Sequence, residues 1–128
     1  MNTLQWLSAD DSPGVFPCPN EALTDPNGLL AAGGDLSSER LLLAYPQGIF
    51  PWYEKDQPIL WWSPEPRAVL WLKEIRISRT LSRKIRRGTF FVSADRAFSD
   101  VLRGCAKERR NGNGTWITEE MGHAYQNL

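Results

Sequence analysis

The sequence predicts a small fold of the α+β class, because short apolar segments typical of strands are interspersed with helical segments that carry capping residues. The strand-like segments are residues 59–62, 68–72 and 89–93, which read ILWW, AVLWL and TFFVS. With 128 residues, of which 41% are hydrophobic, the chain is long enough for one domain, or for a small domain and part of another. A large multidomain machine and a wholly disordered chain are both excluded.

The N-terminal half begins with a stretch rich in turn-forming residues. Residues 1–35 contain many Pro, Gly and Asn residues, which predicts mostly loop with a short apolar insert at residues 29–32. Asp35 or Ser37 then supplies the N-cap of a helix over residues 38–45. The buried face of this helix is expected to carry three residues: Leu41, Leu42 and Tyr45.

Three further helices are predicted in the second half, after a proline-rich boundary at residues 63–67 (SPEPR). Ser78 is the expected N-cap of a short helix that Gly88 ends. Asp95 is the expected N-cap of an amphipathic helix whose apolar residues recur with helical period: Phe98, Val101, Leu102 and Cys105. Thr118 caps a last helix. No stop signal follows that helix, so we expect the chain to be part of a longer protein.

The composition indicates a cytoplasmic protein without a membrane span or a metal. The longest apolar runs have five residues, far fewer than the roughly 18 that a membrane-spanning helix needs. The N-terminus has neither the basic flank nor the apolar core of a signal peptide. Cys18 and Cys105 are far apart and His123 is the single histidine, so two reduced thiols and no zinc site are expected. His123 is expected on the surface rather than as a catalytic base.

The net charge is zero, but the charged residues are segregated along the chain. Residues 1–73 carry four basic and nine acidic side chains, whereas residues 74–110 carry eleven basic and four acidic ones. Three arginines of the basic segment recur at i, i+4 and i+8 of one helix: Arg79, Arg83 and Arg87. Like charges at this spacing repel by a few tenths of a kcal/mol, roughly, unless an anion lies against them. The pattern predicts a phosphate-binding surface, with a solvated helix face as the alternative.

Tryptophan is abundant, with six residues among 128. Buried tryptophans usually belong to the core, whereas tryptophans beside Pro and Gly in loops often form stacking surfaces for bases. On the residues alone, Trp52 and Trp116 fit either role. Trp61, Trp62 and Trp71 are expected in the core or in domain packing.

Five sequence blocks occur in the same order as in a known family. They are DPNGLLAAGGDLS (25–37), GIFPWY (48–53), ILWWSPEPRAVL (59–70), ISRTLSRKIRRG (77–88) and GTWIT (114–118). In these blocks the chain closely resembles the bacterial leucyl/phenylalanyl-tRNA-protein transferases. The resemblance implies an α+β domain over residues 1–66. It also implies the beginning of an acetyltransferase-like (GNAT-like) domain over residues 67–128.

The resemblance also implies an activity and its partners. The family moves Leu or Phe, and less well Met, from aminoacyl-tRNA to proteins with an N-terminal Lys or Arg, which marks them for degradation by the N-end rule. It implies an aminoacyltransferase that needs neither a cofactor nor a metal and that does not bind a membrane. We therefore expect a cytoplasmic monomer whose partners are aminoacyl-tRNA and acceptor proteins.

Site residues follow from the same resemblance. Because the donor ester is already activated, such an enzyme must chiefly hold the 3′-terminal adenosine, the aminoacyl group and the incoming amine in register. The resemblance implies that Trp52 and Trp116 contact the terminal adenosine. It implies that four arginines hold the tRNA body: Arg79, Arg83, Arg86 and Arg87. It places the acyl pocket and the acidic residue proposed to assist the amine beyond residue 128, so no catalytic residue is assigned and the chain alone is expected to be inactive.

Two other functions stay open at this point. The basic helix and the tryptophans also fit a tRNA-binding module without transfer activity, which would bind tRNA strongly on its own. An exposed tryptophan face also fits a protein-interaction domain, whose binding would respond neither to salt nor to tRNA.

Overall fold

The computed structural model describes residues 3–107 and 115–128. Within these residues the centre is a mixed sheet built from the first half of the chain. Its strands are β1 (Gln5–Leu7), β2 (Leu29–Gly33), β3 (Phe50–Pro51) and β4 (Leu60–Trp62). Their order across the sheet is β1, β2, β4, β3. β1 runs parallel to β2, whereas β4 is antiparallel to both β2 and β3.

The strand β2 is the buried centre of the sheet. Its residues 29–32 are buried between β1 and β4. The predicted apolar insert is thus present in a stretch that is otherwise mostly loop, but the sequence did not indicate that the insert pairs as a strand on both sides. Gly33 and Gly34 then turn the chain at φ values of 86° and 76°. A Cβ at Gly33 would lie 2.5 Å from the carbonyl oxygen of Leu7, so this turn requires glycine.

Two helices complete the core around the sheet: α1 (Ser38–Ala44) and α4 (Glu119–Gln126). Of the two candidate N-caps for α1, Asp35 and Ser37, the structure shows Ser37, and the predicted N-cap Thr118 of α4 is confirmed. The Ser37 hydroxyl accepts a hydrogen bond from the backbone N–H of Arg40 at 3.3 Å, and the Thr118 hydroxyl accepts one from that of Met121 at 3.2 Å. Met121 and Ala124 of α4 are buried among residues from the first half of the chain. The end of the described chain therefore packs onto its beginning.

The core confirms one expectation about the tryptophans and corrects one about α1. Trp61 is fully buried, and its ring meets that of Phe16 edge to face with centroids 4.9 Å apart. Leu41 of α1 is buried as predicted, but Leu42 and the C-cap residue Tyr45 are exposed. Their expected places are taken by Arg40 and Ala44. Nη2 of the buried Arg40 is paired with the Asp35 carboxylate, whereas Nε and Nη1 are buried without a hydrogen-bond partner among the described residues.

Residues 67–107 contain the helices α2 (Arg79–Arg86) and α3 (Phe98–Ala106). The predicted cap of α2 is confirmed, since the Ser78 hydroxyl accepts a hydrogen bond from the backbone N–H of Leu81 at 3.2 Å. The predicted cap of α3 is wrong. Asp95 lies at a φ of 54°, before the helix, and Ala97 occupies the N-cap position.

Two of the predicted strands are also wrong. Within the described part of the chain, residues 68–72 and 89–93 form no strand, and a short 3₁₀ helix begins at Leu72. A strand needs a neighbour for its backbone N–H and C=O groups, and neither segment pairs with the sheet. Their apolar side chains are exposed. Trp71, expected in the core or in domain packing, is 67% exposed, so it is not a core residue of the described part of the chain.

The α+β class is confirmed by this combination of a mixed sheet and helices. The domain boundary near residue 66 and the acetyltransferase-like continuation stay predictions. Among the helices of the described residues, none has the length and apolarity needed to cross a membrane.

Candidate functional site

Trp52 lies at the end of β3 with its ring in solvent. Its backbone is fixed on both sides by β4. The Trp52 N–H donates to the carbonyl oxygen of Leu60 at 2.9 Å, and the Trp52 carbonyl accepts from the indole N–H of Trp62 at 2.6 Å. The two indole rings lie side by side with centroids 6.2 Å apart. Trp52 is nevertheless 52% exposed, so its position is fixed while its ring stays available.

The turn before β3 is fixed by the predicted boundary segment. Gly48 adopts a φ of 75° at the end of the 3₁₀ helix Tyr45–Gln47. Arg67 donates from Nη1 to the Gly48 carbonyl at 2.6 Å, and its guanidinium lies 5.0 Å from the centre of the Phe50 ring. The SPEPR segment thus contacts the turn that presents Trp52.

Trp116 lies two residues before the N-cap of α4. Its carbonyl accepts a hydrogen bond from the Thr118 N–H at 3.0 Å, and its ring meets the Tyr125 ring edge to face with centroids 6.5 Å apart. The Trp116 side chain is 41% exposed. It also lines an open, mainly apolar cavity of about 450 Å³ between α3 and α4. The other residues of this lining are Phe98, Val101, Leu102, Cys105, Ile117 and Tyr125.

Helix α4 contacts both tryptophan-bearing segments. The Tyr53 hydroxyl, next to Trp52, donates to Oε2 of Glu120 at 2.9 Å. At the other end of the helix, the hydroxyl groups of Tyr125 and Tyr45 share a hydrogen bond. The structure therefore joins the segments that carry Trp52 and Trp116 to the same helix, although 63 residues lie between the two tryptophans in the sequence.

The buried Tyr53 and the partly buried Tyr125 both keep their hydroxyl protons at neutral pH. Burial, and next the Glu120 carboxylate, raise the pKa of Tyr53 to about 12. Burial, and next the hydrogen bond with Tyr45, raise the pKa of Tyr125 well above its usual value. At neutral pH both hydroxyl groups stay protonated and are available as hydrogen-bond donors.

The four predicted arginines lie on or directly after α2. An open cavity of about 400 Å³ is lined by Arg79, Arg83 and Arg86, whereas Arg87 is the C-cap residue. Within residues 3–107 and 115–128, no carboxylate forms an ion pair with these arginines. Their positive charge is therefore directed to solvent.

The structure does not join the basic helix to the tryptophans. Among the described residues, no hydrogen bond or ring contact connects α2 with Trp52 or Trp116. His123 lies on the surface as predicted, 3.9 Å from Glu119. No group of three or more potential metal ligands is present in the described ranges.

Sequence reasoning missed Tyr53 and Glu120 as parts of this site. A carboxylate in the first turn of a helix is common and carries no sign of a distant partner. Tyr53 could have been noticed from its place next to Trp52, since neighbouring side chains at the end of a strand point in opposite directions.

Comparison with known proteins gives a consistent result. Residues 34–65 match the model of the leucyl/phenylalanyl-tRNA protein transferase N-terminal domain, and residues 69–128 match the leucyl/phenylalanyl-tRNA protein transferase model. Proteins named leucyl/phenylalanyl-tRNA–protein transferase are similar over nearly the whole chain. The one from Stutzerimonas stutzeri (strain A1501) is 53% identical over 98% of this chain and 54% of its own length. The one from Shewanella sp. (strain W3-18-1) is 55% identical over 100% of this chain and 53% of its own length. The chain spans about half the length of the curated relatives it matches.

Proposed function

The chain belongs to the leucyl/phenylalanyl-tRNA-protein transferase family, and on that premise we propose that it forms the donor-binding part of an aminoacyltransferase. One observation carries the proposal. Two exposed tryptophans come from distant parts of the sequence, and α4 contacts both their segments: Tyr125 of α4 meets the Trp116 ring, and Glu120 of α4 accepts a hydrogen bond from Tyr53, the residue after Trp52. A single-stranded RNA end is bound in this manner, by aromatic rings on a rigid support.

The tryptophans would bind the 3′-terminal adenosine of aminoacyl-tRNA. Every base presents a π-face, and stacking one base on an aromatic side chain contributes roughly 1–3 kcal/mol. Because the adenosine is common to all aminoacyl-tRNAs, this contact would orient the ester without selecting the amino acid.

The arginines of α2 would bind the tRNA body. A guanidinium donates two parallel hydrogen bonds to a phosphate, and such contacts position the RNA without reading its sequence. Arg79, Arg83 and Arg86 surround one open cavity and have no carboxylate partner within the described residues, which supports this role.

The proposed reaction transfers Leu or Phe, and less well Met, to a protein that begins with Lys or Arg. The α-amine of the acceptor attacks the ester carbonyl, an amide bond forms, and the ester bond to the ribose breaks and releases the tRNA hydroxyl. Holding amine and ester in register would supply much of the acceleration. Under this proposal the reaction takes place in the cytoplasm, and it marks the acceptor protein for degradation by the N-end rule. No catalytic residue is assigned within this chain.

A second candidate, a tRNA-binding module without transfer activity, is favoured by the exposed basic helix. The two candidates differ in whether the chain, once extended to the length of its relatives, transfers an amino acid. We define the extended chain as this chain continued by the residues that follow the matched region in the Shewanella sp. relative. Transfer of labelled Leu from leucyl-tRNA is measured for this chain and for the extended chain, with that relative as the positive control.

The acceptor in this assay is a protein that begins with Arg, and the same protein beginning with Ser is its control. We expect product with the extended chain and the Arg acceptor only, and tRNA binding without product for the chain alone. An extended chain that folds but transfers nothing, beside an active relative, would contradict the proposed enzyme.

A further inference from the structure

We propose that Tyr53 and Glu120 form a clasp that fixes the segment carrying Trp52 against the helix that follows Trp116. The clasp is the hydrogen bond of 2.9 Å from the Tyr53 hydroxyl to the Glu120 carboxylate. It joins positions 67 residues apart in the sequence. Tyr53 and Glu120 are thus positioning residues, which act on the donor through the two tryptophans.

The Tyr53 end of the clasp controls the direction of Trp52. Tyr53 is 4% exposed, whereas its neighbour Trp52 points into solvent. Since adjacent side chains point in opposite directions here, burying the Tyr53 ring turns the Trp52 indole outward. Any movement that withdraws Tyr53 from the core would also rotate Trp52.

The Glu120 end of the clasp is close to Trp116 along the chain. Glu120 lies in the first turn of α4, whose N-cap is Thr118. The Thr118 hydroxyl accepts from the Met121 N–H, and the Thr118 backbone N–H donates to the Trp116 carbonyl. Tyr53 is therefore bonded, through Glu120, to the helical turn that follows Trp116 closely in the chain.

Apolar packing alone would not fix this geometry. Met121 and Ala124 hold α4 on the core, but apolar contacts have no preferred direction and permit small rotations of the helix. The hydrogen bond between Tyr45 and Tyr125 fixes the far end of the helix. A directional bond at the near end is what determines where the first turn lies relative to Trp52.

The direction of the clasp hydrogen bond is settled by the protonation of Tyr53. Burial, and next the Glu120 carboxylate, hold the pKa of Tyr53 at about 12, so the hydroxyl is the donor at neutral pH. Hydrogen bonds that involve a carboxylate are about twice as strong as neutral ones. The clasp thus orients the two tryptophan-bearing segments and takes no part in the reaction itself.

The consequence for binding rests on the proposed function. If adenosine binds only when both rings are oriented, the apparent affinity is proportional to the fraction of molecules in which the clasp is closed. Opening the clasp therefore weakens binding. Loss of a hydrogen bond to a carboxylate shifts such an equilibrium by about tenfold.

The test uses this chain labelled with 5-fluorotryptophan, with the Trp52 resonance assigned from a Trp52→Phe variant. The donor probe is adenosine that carries leucine through a stable 3′-amide. We expect Tyr53→Phe and Glu120→Ala each to shift or broaden the fluorine resonance of Trp52. Each should also lower the affinity for the probe about tenfold. The double variant should match either single variant, since both remove the same bond. Glu120→Gln should recover most of the affinity, because its amide oxygen still accepts from Tyr53.

Glu119→Ala is the matched control. It removes a carboxylate from the same helical turn, but its side chain is in solvent and its contact is with His123. This variant should leave the Trp52 resonance and the probe affinity unchanged within about twofold, since a lone surface pair contributes little.

The possible failures are distinguishable. An unchanged Trp52 resonance in Tyr53→Phe and Glu120→Ala overturns the clasp, and so does a double variant in which the two effects add. Lower unfolding stability in these variants, with the resonance and the affinity intact, assigns the bond to folding alone and also overturns it. A parent chain that binds no probe, while the variants still shift the Trp52 resonance, contradicts the proposed function and leaves the clasp supported.

Discussion

Arg40 and Asp35 form a salt bridge at the edge of the core, with Nη2 of Arg40 3.3 Å from Oδ2 of Asp35. The Arg40 side chain is fully buried, whereas that of Asp35 is 33% exposed. Nη2 also donates to the carbonyl oxygen of Asp11 at 3.0 Å, and the guanidinium lies 6.0 Å from the centre of the Phe16 ring. The pair thus ties the N-terminal segment to the start of α1.

We expect Asp35→Asn to lower the free energy of unfolding by about 2 kcal/mol. Removing one partner of a fully buried pair costs roughly 3–5 kcal/mol, because the other charge is left uncompensated. The partial exposure of Asp35 reduces this cost. Urea unfolding of this chain, followed by circular dichroism, measures the change.

Asp56→Asn is the matched control for this stability measurement. Asp56 lies exposed in the turn before β4, so the same chemical change should alter the free energy of unfolding by less than about 0.5 kcal/mol. Equal destabilisation of the two variants would show that Asp35 is not paired with the buried charge in solution.

A second prediction concerns the pH dependence of folding stability, which Asp35 influences at low pH. Burial raises the pKa of Asp35, but the hydrogen bonds from Ser37 and the contact with Arg40 outweigh it, and the pKa lies below 3.8. The folded protein therefore binds the proton less readily than the unfolded chain, whose aspartates titrate near about 3.9. This stabilisation is complete above that pH and is lost as the pH falls through the lower, folded value. In Asp35→Asn, the free energy of unfolding should depend less on pH below about 4 than in the parent.

Local signals in the sequence predicted the helices well. Ser37, Ser78 and Thr118 each accept a backbone N–H of the following turn, as their position before an apolar or basic run indicated. Capping is decided within four residues, so it can be read from the sequence alone. Arg40 could not be predicted as buried, because two of its contacts, Asp11 and Phe16, lie in a distant segment.

Strands and the site depend on distant residues and were harder to predict. Residues 89–93 have strand composition but no strand partner in the described part of the chain, whereas the short β1 was missed because its residues are mostly exposed. Trp52 and Trp116 can be predicted as site residues because they lie in sequence blocks that resemble those of the family. The clasp that joins their segments depends on Tyr53 meeting Glu120, and no local pattern indicates that pairing.

A third prediction separates binding from folding. Trp52→Ala or Trp116→Ala should make the free energy of binding of the adenosine probe less favourable by about 1–3 kcal/mol, the contribution of one stacked base. The chain should stay folded. The loss of affinity should be the same for probes that carry Leu and Phe, because the base is common to both. Isothermal titration calorimetry with the two probes measures it.

Two other tryptophans give the controls for this comparison. Trp61→Ala should destabilise the fold by roughly 3–5 kcal/mol, because its ring is fully buried. Trp6→Ala should leave probe binding unchanged, since this exposed ring lies on β1, across the sheet from β3. A defect in Trp52→Ala that appears with only one amino acid would place Trp52 in a side-chain pocket instead.

The last prediction concerns the basic helix. Replacing Arg83 and Arg87 by Ala should weaken the binding of every tRNA by a similar factor, because arginine–phosphate pairs carry no base information. The slope of log affinity against log salt should fall by roughly 0.7–0.9 for each phosphate that is no longer neutralised. Filter binding of this chain to two tRNAs of different sequence, at a series of salt concentrations, gives both quantities.

The adenosine probe and one other arginine complete this test. The probe has no tRNA body, so its affinity should be the same for the parent and for the variant that lacks Arg83 and Arg87. Arg103→Ala is the matched control, because Arg103 lies exposed on α3 and is already paired with Asp100. Its removal should change the salt slope little, since its charge is partly neutralised. An unchanged slope in the double variant, or an equal weakening of probe and tRNA binding, would make α2 a solvated helix face rather than a phosphate-binding surface.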